Sequence, residues 1–139
     1  MNKKLRLAGC IIVNDNSGIL LLHRNTPKRI RWEIPGGKIE VGESEIETVA
    51  REIKEELVVD VEIVRLLGSR DFTEDGYTMS YHWFLGLISV GSPVVGEPET
   101  FDDLRYFSRG ELIANVPALS SNTRNFLDAW KAGDFSLKS

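Results

Sequence analysis

The segment from Ser44 to Leu57 constrains this chain more than any other, because it reads as a helix and carries more carboxylate than helix stability calls for. Ser44 followed by Glu47 has the spacing of a capping box, in which the serine hydroxyl takes the Glu47 N–H and the glutamate reaches back to the serine N–H. At about 100° per residue Ile46, Val49, Ala50, Ile53 and Leu57 share one arc, which predicts a face packed on a sheet. Glu45, Glu52, Glu55 and Glu56 fall on the neighbouring arc. Glu52 lies three residues before Glu55 and four before Glu56, so the carboxylates are surface neighbours, and each like-charge pair costs about 0.2–0.5 kcal/mol. Glu55 and Glu56 also occupy the last turn, where the helix dipole disfavours negative charge by about 0.3–1 kcal/mol each. One reading is a solvated acidic face. The other is a site for a hard divalent cation, whose usual environment is clustered carboxylates and water. Gly36-Gly37, just upstream, lets backbone approach a metal or phosphate closely and favours the second reading.

The rest of the chain reads as one α/β unit without repeats or a linker, a single domain over residues 1–139. Leu5 to Val13 and Gly18 to His23 are strand-like runs around the turn formers Asn14-Asp15-Asn16-Ser17-Gly18, which predicts a hairpin. Pro27 to Arg31 reads as a basic loop, and Pro35-Gly36-Gly37 as a break in regular structure. Val59 to Ser69 and Tyr77 to Ser89 are strand candidates that can pair across Glu74-Asp75-Gly76. Leu104 to Phe107 reads as a short strand, Arg109 to Ala114 as a helical turn and Asn122 to Lys131 as a terminal helix.

Composition excludes several chemistries. Cys10 is the single cysteine and there are two histidines, so neither an internal disulfide nor a thiolate or histidine-rich metal site can be built. Any metal must sit on oxygen. A net charge of −4 gives no global attraction to a polynucleotide backbone, so long nucleic acid is an unfavoured partner. A small phosphorylated ligand remains compatible, because a divalent cation reverses the sign of an acidic site. No apolar run approaches the roughly 20 residues of a membrane span, and the N-terminus lacks a signal-peptide core, so the expectation is a cytoplasmic protein without a membrane partner.

Taken together, Gly37, Glu43, Arg51, Glu52, Ile53, Glu55 and Glu56 resemble the Nudix box: a glycine, five residues, a glutamate, seven residues, then Arg-Glu-aliphatic-x-Glu-Glu-x-Gly-aliphatic. Trp32-Glu33-Ile34-Pro35-Gly36-Gly37-Lys38-Ile39-Glu40 is similar to the MutT-like branch of that family. Val58 stands where the family has its late glycine. A β-branched residue takes the left-handed conformation only at a cost, so a differently built helix exit is expected. The resemblance implies a Nudix fold, a mixed sheet sandwiched between helices, over nearly the whole chain. It implies Mg²⁺-dependent hydrolysis, with Mn²⁺ as an alternative ion, of a nucleoside diphosphate linked to another group. The leading expectation is cleavage of a nucleoside triphosphate to monophosphate and pyrophosphate. The alternatives are a dinucleoside polyphosphate or ADP-ribose as substrate, or a nucleotide-binding module without turnover.

The resemblance also proposes roles. Glu52, Glu55 and Glu56 become metal-ligand candidates together with a backbone carbonyl of Gly37, and Glu52 and Glu55 lead as the general base. Arg51, placed off the centre of the acidic arc, suits an orienting partner of Glu43 better than a reacting group, and an exposed helix arginine is the alternative. Arg24 matches an arginine near substrate phosphates. Glu97 and Glu99 resemble a loop that brings an extra carboxylate to the metals, with Glu99 in the better register. Asn122 matches a base-reading asparagine, since an amide offers both donor and acceptor; the competing role, given more weight, is N-cap of the last helix. Trp32, Tyr81 and Trp83 are candidates to stack on a base or to fill the core. Tyr77 stands eighteen residues past Val59, where dinucleoside polyphosphate hydrolases carry a tyrosine, whereas no proline stands between Pro35 and Pro93, as ADP-ribose hydrolases would require. The oligomeric state is left open, a homodimer included.

Overall fold

A computed structural model describes residues 3–138. In chain order it contains β1 (Lys3–Ile12), β2 (Ile19–Asn25), β3 (Ile30–Glu33), β4 (Gly36–Lys38), α1 (Glu45–Leu57), β5 (Asp60–Glu74), β6 (Tyr77–Val90), β7 (Phe101–Phe107), α2 (Arg109–Ala114), a 3₁₀ turn (Val116–Ala118) and α3 (Ser121–Lys131). The strands form a four-stranded sheet in the order β4-β1-β6-β5 and a three-stranded sheet in the order β3-β2-β7. The first is mixed, with β1 parallel to β6 and antiparallel to β4, and β5 antiparallel to β6.

Both faces of the central strands are covered, which explains why β1 and β2 are apolar without alternation. Cys10, Ile12, Leu20 and Leu22 pack with Val49, Ile53 and Leu57 of α1. Their neighbours Ile11, Ile19 and Leu21 pack on the other face with Trp83, Phe107 and Phe126, against α3. The pairing of β5 with β6 across Asp75-Gly76 agrees with the sequence reading.

Four local expectations are corrected. β1 and β2 do not form a hairpin beyond one bridge from Val13 to Ile19. Asn14 Oδ1 accepts the N–H groups of Asn16 and Gly18 at 3.1 and 2.8 Å and turns the chain, after which β2 joins the other sheet and pairs with β3 and β7. Gly36–Lys38 is a short edge strand on β1, with Gly9 opposite Gly36, rather than a break. The buried arc of α1 is rotated toward the acidic side: Ile46 is 52% exposed and Ala50 is exposed, whereas Thr48 and Glu56 are buried. Packing of α1 on β1 and β4 draws that side inward.

The fourth correction concerns Val58. It caps α1 in the left-handed conformation, with φ +58° and ψ +39°, and its N–H donates to the Lys54 carbonyl at 3.1 Å. The exit the family builds with glycine is therefore kept with valine, at a cost of order 1–3 kcal/mol. The free carbonyls of the last turn are met by a crossing segment: Gly96 N–H donates to Glu56 O at 2.8 Å and Val94 N–H to Leu57 O at 3.0 Å. These two bonds hold the chain in place around the strained residue. No helix among the described residues is long and apolar enough to cross a membrane.

Candidate active site

A cavity of about 300 Å³ opens between the two sheets and the inner side of α1. One end is made by Gly36, Gly37, Glu52 and Glu56, the walls include Leu7, Ile34, Phe72, Met79 and Tyr81, and Arg24, Arg31, Glu33 and Asn122 also reach it. The helix and β4 approach so closely that a methyl on Gly37 would lie 2.5 Å from the Glu52 carboxyl, and one on Gly36 2.4 Å from the Ala8 carbonyl oxygen. The two glycines thus make room for a carboxylate and a strand.

Glu56 is 5% exposed, and Gly36 N–H donates to its Oε1 at 2.8 Å. Burial pushes its carboxyl well above the usual range, and the charges of Glu52, Glu97 and Glu33 push the same way against that one hydrogen bond. Glu52 is also raised by burial, opposed by Arg51. Arg51 bridges the machinery: Nε donates to Glu43 Oε2 at 2.6 Å, Nη2 to Glu43 Oε1 and the Lys38 carbonyl at 3.0 and 3.1 Å, and Nη1 to Glu52 Oε1 at 3.0 Å. The arginine, with the Glu40 N–H and the Thr48 hydroxyl, holds the Glu43 carboxyl down to about 2. Arg51 therefore ties the loop before the helix to the carboxylate in the cavity.

Among the described residues no three His, Cys, Asp or Glu side chains converge as a ready-made cation cage. Glu52 is occupied by Arg51, and Glu55 stands outside the cavity lining, 3.5 Å from Arg51 Nη1. The chemistry of the donors nevertheless suits a cation. Glu56 is a buried carboxylate with one N–H donor and three other carboxylates acting on it, a local excess of negative charge that a divalent ion offsets.

Of the sequence candidates, Gly37, Glu52, Glu56, Arg24 and Asn122 line one cavity. Glu99 is exposed and its charge acts on Glu97, while Glu97 is the loop residue whose charge bears on Glu52 and Glu56. The bonds of Val94 and Gly96 to the end of α1 hold the start of this loop beside the acidic helix. Arg24 Nε donates to Glu33 Oε2 at 2.9 Å and its guanidinium lies 5.1 Å from the Phe101 ring centre. Asn122 is not the cap of α3. Ser120 is, its hydroxyl accepting the Thr123 N–H at 3.1 Å. Asn122 is instead buried at the cavity wall, and its Oδ1 accepts the Trp83 indole N–H at 2.9 Å.

The aromatic candidates are mostly structural. Trp83 is 1% exposed and packs on Phe126, and Trp32 sits between His23 and Phe107 with Arg105 over its ring. Tyr81 lines the cavity with a buried ring. Three functional-looking residues escaped the sequence reading: Arg31, Glu33 and Glu74. Arg31 and Glu33 are two apart on β3 and so share a face, but the other partner of Arg31, Glu74, lies in the other sheet and nothing local announces it.

A family model described as NUDIX domain matches residues 3–130. The chain belongs to the Nudix family. It is similar to a protein of Methanocaldococcus jannaschii named ADP-ribose pyrophosphatase, 32% identical over 88% of this chain and 72% of that protein. It is also similar to the 8-oxo-dGTP diphosphatase of Proteus vulgaris, 31% identical over 57% of this chain and 74% of that protein. Among solved structures, the MutT Nudix hydrolase of Burkholderia pseudomallei superposes with a TM-score of 0.80 at 31% identity, covering 91% of this chain and 97% of that one. This Nudix chain is MutT-like, and it is a hydrolase of phosphoric anhydride bonds. Its acidic cavity end, with Arg51 braced against Glu43, is built from the residues of the Nudix box.

Proposed function

We propose that the chain cleaves a nucleoside triphosphate to the monophosphate and pyrophosphate, with Mg²⁺ as its metal and Mn²⁺ as an alternative. The observation that carries this reading is that one cavity is lined by the buried Glu56, the half-buried Glu52, Arg24, whose Nε alone is taken up by Glu33, and Asn122. At about 300 Å³ it is at the small end of ligand sites, which suits a single nucleotide.

Glu52 and Glu56, with the Gly37 carbonyl, would hold the metal, and Glu55 and Glu97, whose charges act on Glu52, would add to the negative field around it. Mg²⁺ supplies neutralisation of the phosphate oxygens and a more acidic bound water. Arg24 presents its remaining N–H groups to phosphate oxygens, oriented by Glu33. Glu52 or Glu55 takes the proton as water adds to phosphorus, the bridging P–O bond breaks, and pyrophosphate leaves with the bonding electrons. Arg51 aims Glu52 and opposes the upward pull of burial on its carboxyl. Asn122 donates to an acceptor on the base, because Trp83 already occupies its carbonyl.

The name of the M. jannaschii relative, which covers most of this chain, favours ADP-ribose as a second reading. Incubation with Mg²⁺ and a panel of ribo- and deoxyribonucleoside triphosphates, ADP-ribose and diadenosine tetraphosphate decides between them. Monophosphate with pyrophosphate supports the proposal, AMP with ribose 5-phosphate supports the second, and binding without product identifies a module that does not turn over.

A further inference from the structure

The end of the cavity away from the carboxylates is closed by an ion pair that joins the two sheets. Tyr81 stands beside Gly36 at the acidic end, and Met79, two residues back along β6, lies about 7 Å farther on at the rise of a strand. Met79 pairs with Phe72, and one strand pair further come Thr73 and Thr78, then Glu74 and Tyr77. Opposite them, on the other sheet, β3 brings Arg31. Arg31 Nη1 and Nη2 donate to the two Glu74 oxygens at 2.5 and 3.4 Å, while its Nε donates to Glu33 Oε2 at 2.6 Å. Both side chains are mostly buried, 21% and 17% exposed, and both line the cavity. Arg29 adds a second contact to Glu74 at 3.4 Å, and Arg29 and Lys28 both reach Asp75 at the tip of the β5–β6 hairpin.

These contacts tie the segment between β2 and β3 to a hairpin with which it shares no strand ladder. A group lodged between Phe72, Met79 and Asn122 meets this pair at its outer edge. To extend further it must pull apart opposite charges that are already shielded from water and hydrogen-bonded in bidentate fashion.

We infer that Arg31 and Glu74 are a specificity-determining pair that closes the base end of the cavity and limits the occupant to an unextended nucleobase. The inference rests on the nucleotide reading above. Neither residue belongs to the Nudix box; Arg31 also bonds the Glu33 oxygen that orients Arg24, whereas Glu74 does not touch that group, so the closure is separated from phosphate binding on its Glu74 side.

The test is calorimetric binding of AMP and of N6-benzyl-AMP to the parent, to Glu74→Gln, which keeps the side-chain size and removes the charge, and to Glu74→Ala, which removes the partner of Arg31; both leave the Arg31 bond to Glu33 in place. Glu74→Ala is expected to gain at least tenfold in affinity for the benzyl compound with less than a threefold change for AMP, and Glu74→Gln to fall between it and the parent. Equal discrimination in all three proteins would overturn the inference, as would a loss of AMP binding in Glu74→Ala matching any change for the benzyl compound. A parent that binds and cleaves no nucleotide would sink the nucleotide reading instead. Hydrogen exchange then judges the closure itself: amides of Ile30–Glu33 and Phe72–Glu74 should exchange faster in Glu74→Ala, and unchanged rates in these two segments overturn it.

Discussion

Glu56→Gln should stabilise the metal-free protein at alkaline pH, although the residue is buried and placed among the metal ligands. The parent glutamate is 5% exposed and its carboxyl is raised by burial, with Glu52 the next cause. A carboxyl raised in the folded state favours folding while protonated, and that advantage is lost as pH rises through its folded value. Gln keeps the shape and accepts the Gly36 N–H, but it cannot ionise. Removing the buried charge recovers about 1–3 kcal/mol of desolvation and about 0.2–0.5 kcal/mol of repulsion with Glu52 one turn away. Weakening a charge-assisted hydrogen bond to a neutral one gives back about 1 kcal/mol. The net gain is about 0.2–2.5 kcal/mol, or a rise of up to roughly 9 °C in Tm for a chain of this length. Thermal melts in EDTA over a pH series measure it as the difference between variant and parent, so that other titrating groups cancel. The difference should be near zero while Glu56 is protonated and become positive as pH rises through its raised folded value. Millimolar Mg²⁺ on the alkaline side should reverse the order, because binding to the native parent alone adds RT ln(1 + [L]/Kd), whereas NaCl at equal ionic strength should not. A variant less stable than the parent in EDTA, or a difference that ignores pH and Mg²⁺ alike, would refute the account of Glu56 as a buried charge awaiting a cation.

Gly37→Ala should leave the fold intact by circular dichroism and abolish most turnover, because the added methyl lies 2.5 Å from the Glu52 carboxyl and the flexible side chain must swing out of the cavity. Of Glu52→Gln and Glu55→Gln, the variant that removes the proton acceptor should lose about 10²–10⁴-fold in kcat, and full activity in both would exclude the pair from catalysis. Carbon NMR should find the Glu43 carboxyl titrating at about 2 in the parent, and Arg51→Gln should return it toward about 4.3. Val58→Asn should raise stability by about 1 kcal/mol in denaturant melts, since asparagine tolerates the left-handed conformation that Val58 holds at φ +58°.

How far the sequence could be read follows from the range over which each interaction acts. The capping box at Ser44, the helix it begins, the β5–β6 hairpin and the Nudix box are local in the chain, and their spacings were sufficient to place them. The assignment of β1 and β2 to different sheets depends on β6 and β7, which lie more than sixty residues away, so the turn formers between them pointed to a hairpin that does not form. The acidic arc was legible, but its division was not: burial separates Glu56, inside, from Glu55, outside, although both carry the same local pattern of charge. The loop register around Pro98 pointed to Glu99, whereas the charge that bears on Glu52 and Glu56 is that of Glu97, which follows Gly96 where the chain is bonded to the end of α1. The same end of α1 carries the left-handed Val58, whose Cγ2 lies 3.0 Å from where a Gly96 methyl would be, and Glu55 O is closer still at 2.2 Å. Only glycine at position 96 lets the crossing segment reach the last-turn carbonyls of Glu56 and Leu57. Strain in the helix exit and placement of the Glu97 carboxylate are therefore coupled through one close backbone approach, and a substitution at Val58 should be felt at Glu97 before it is felt at Glu52.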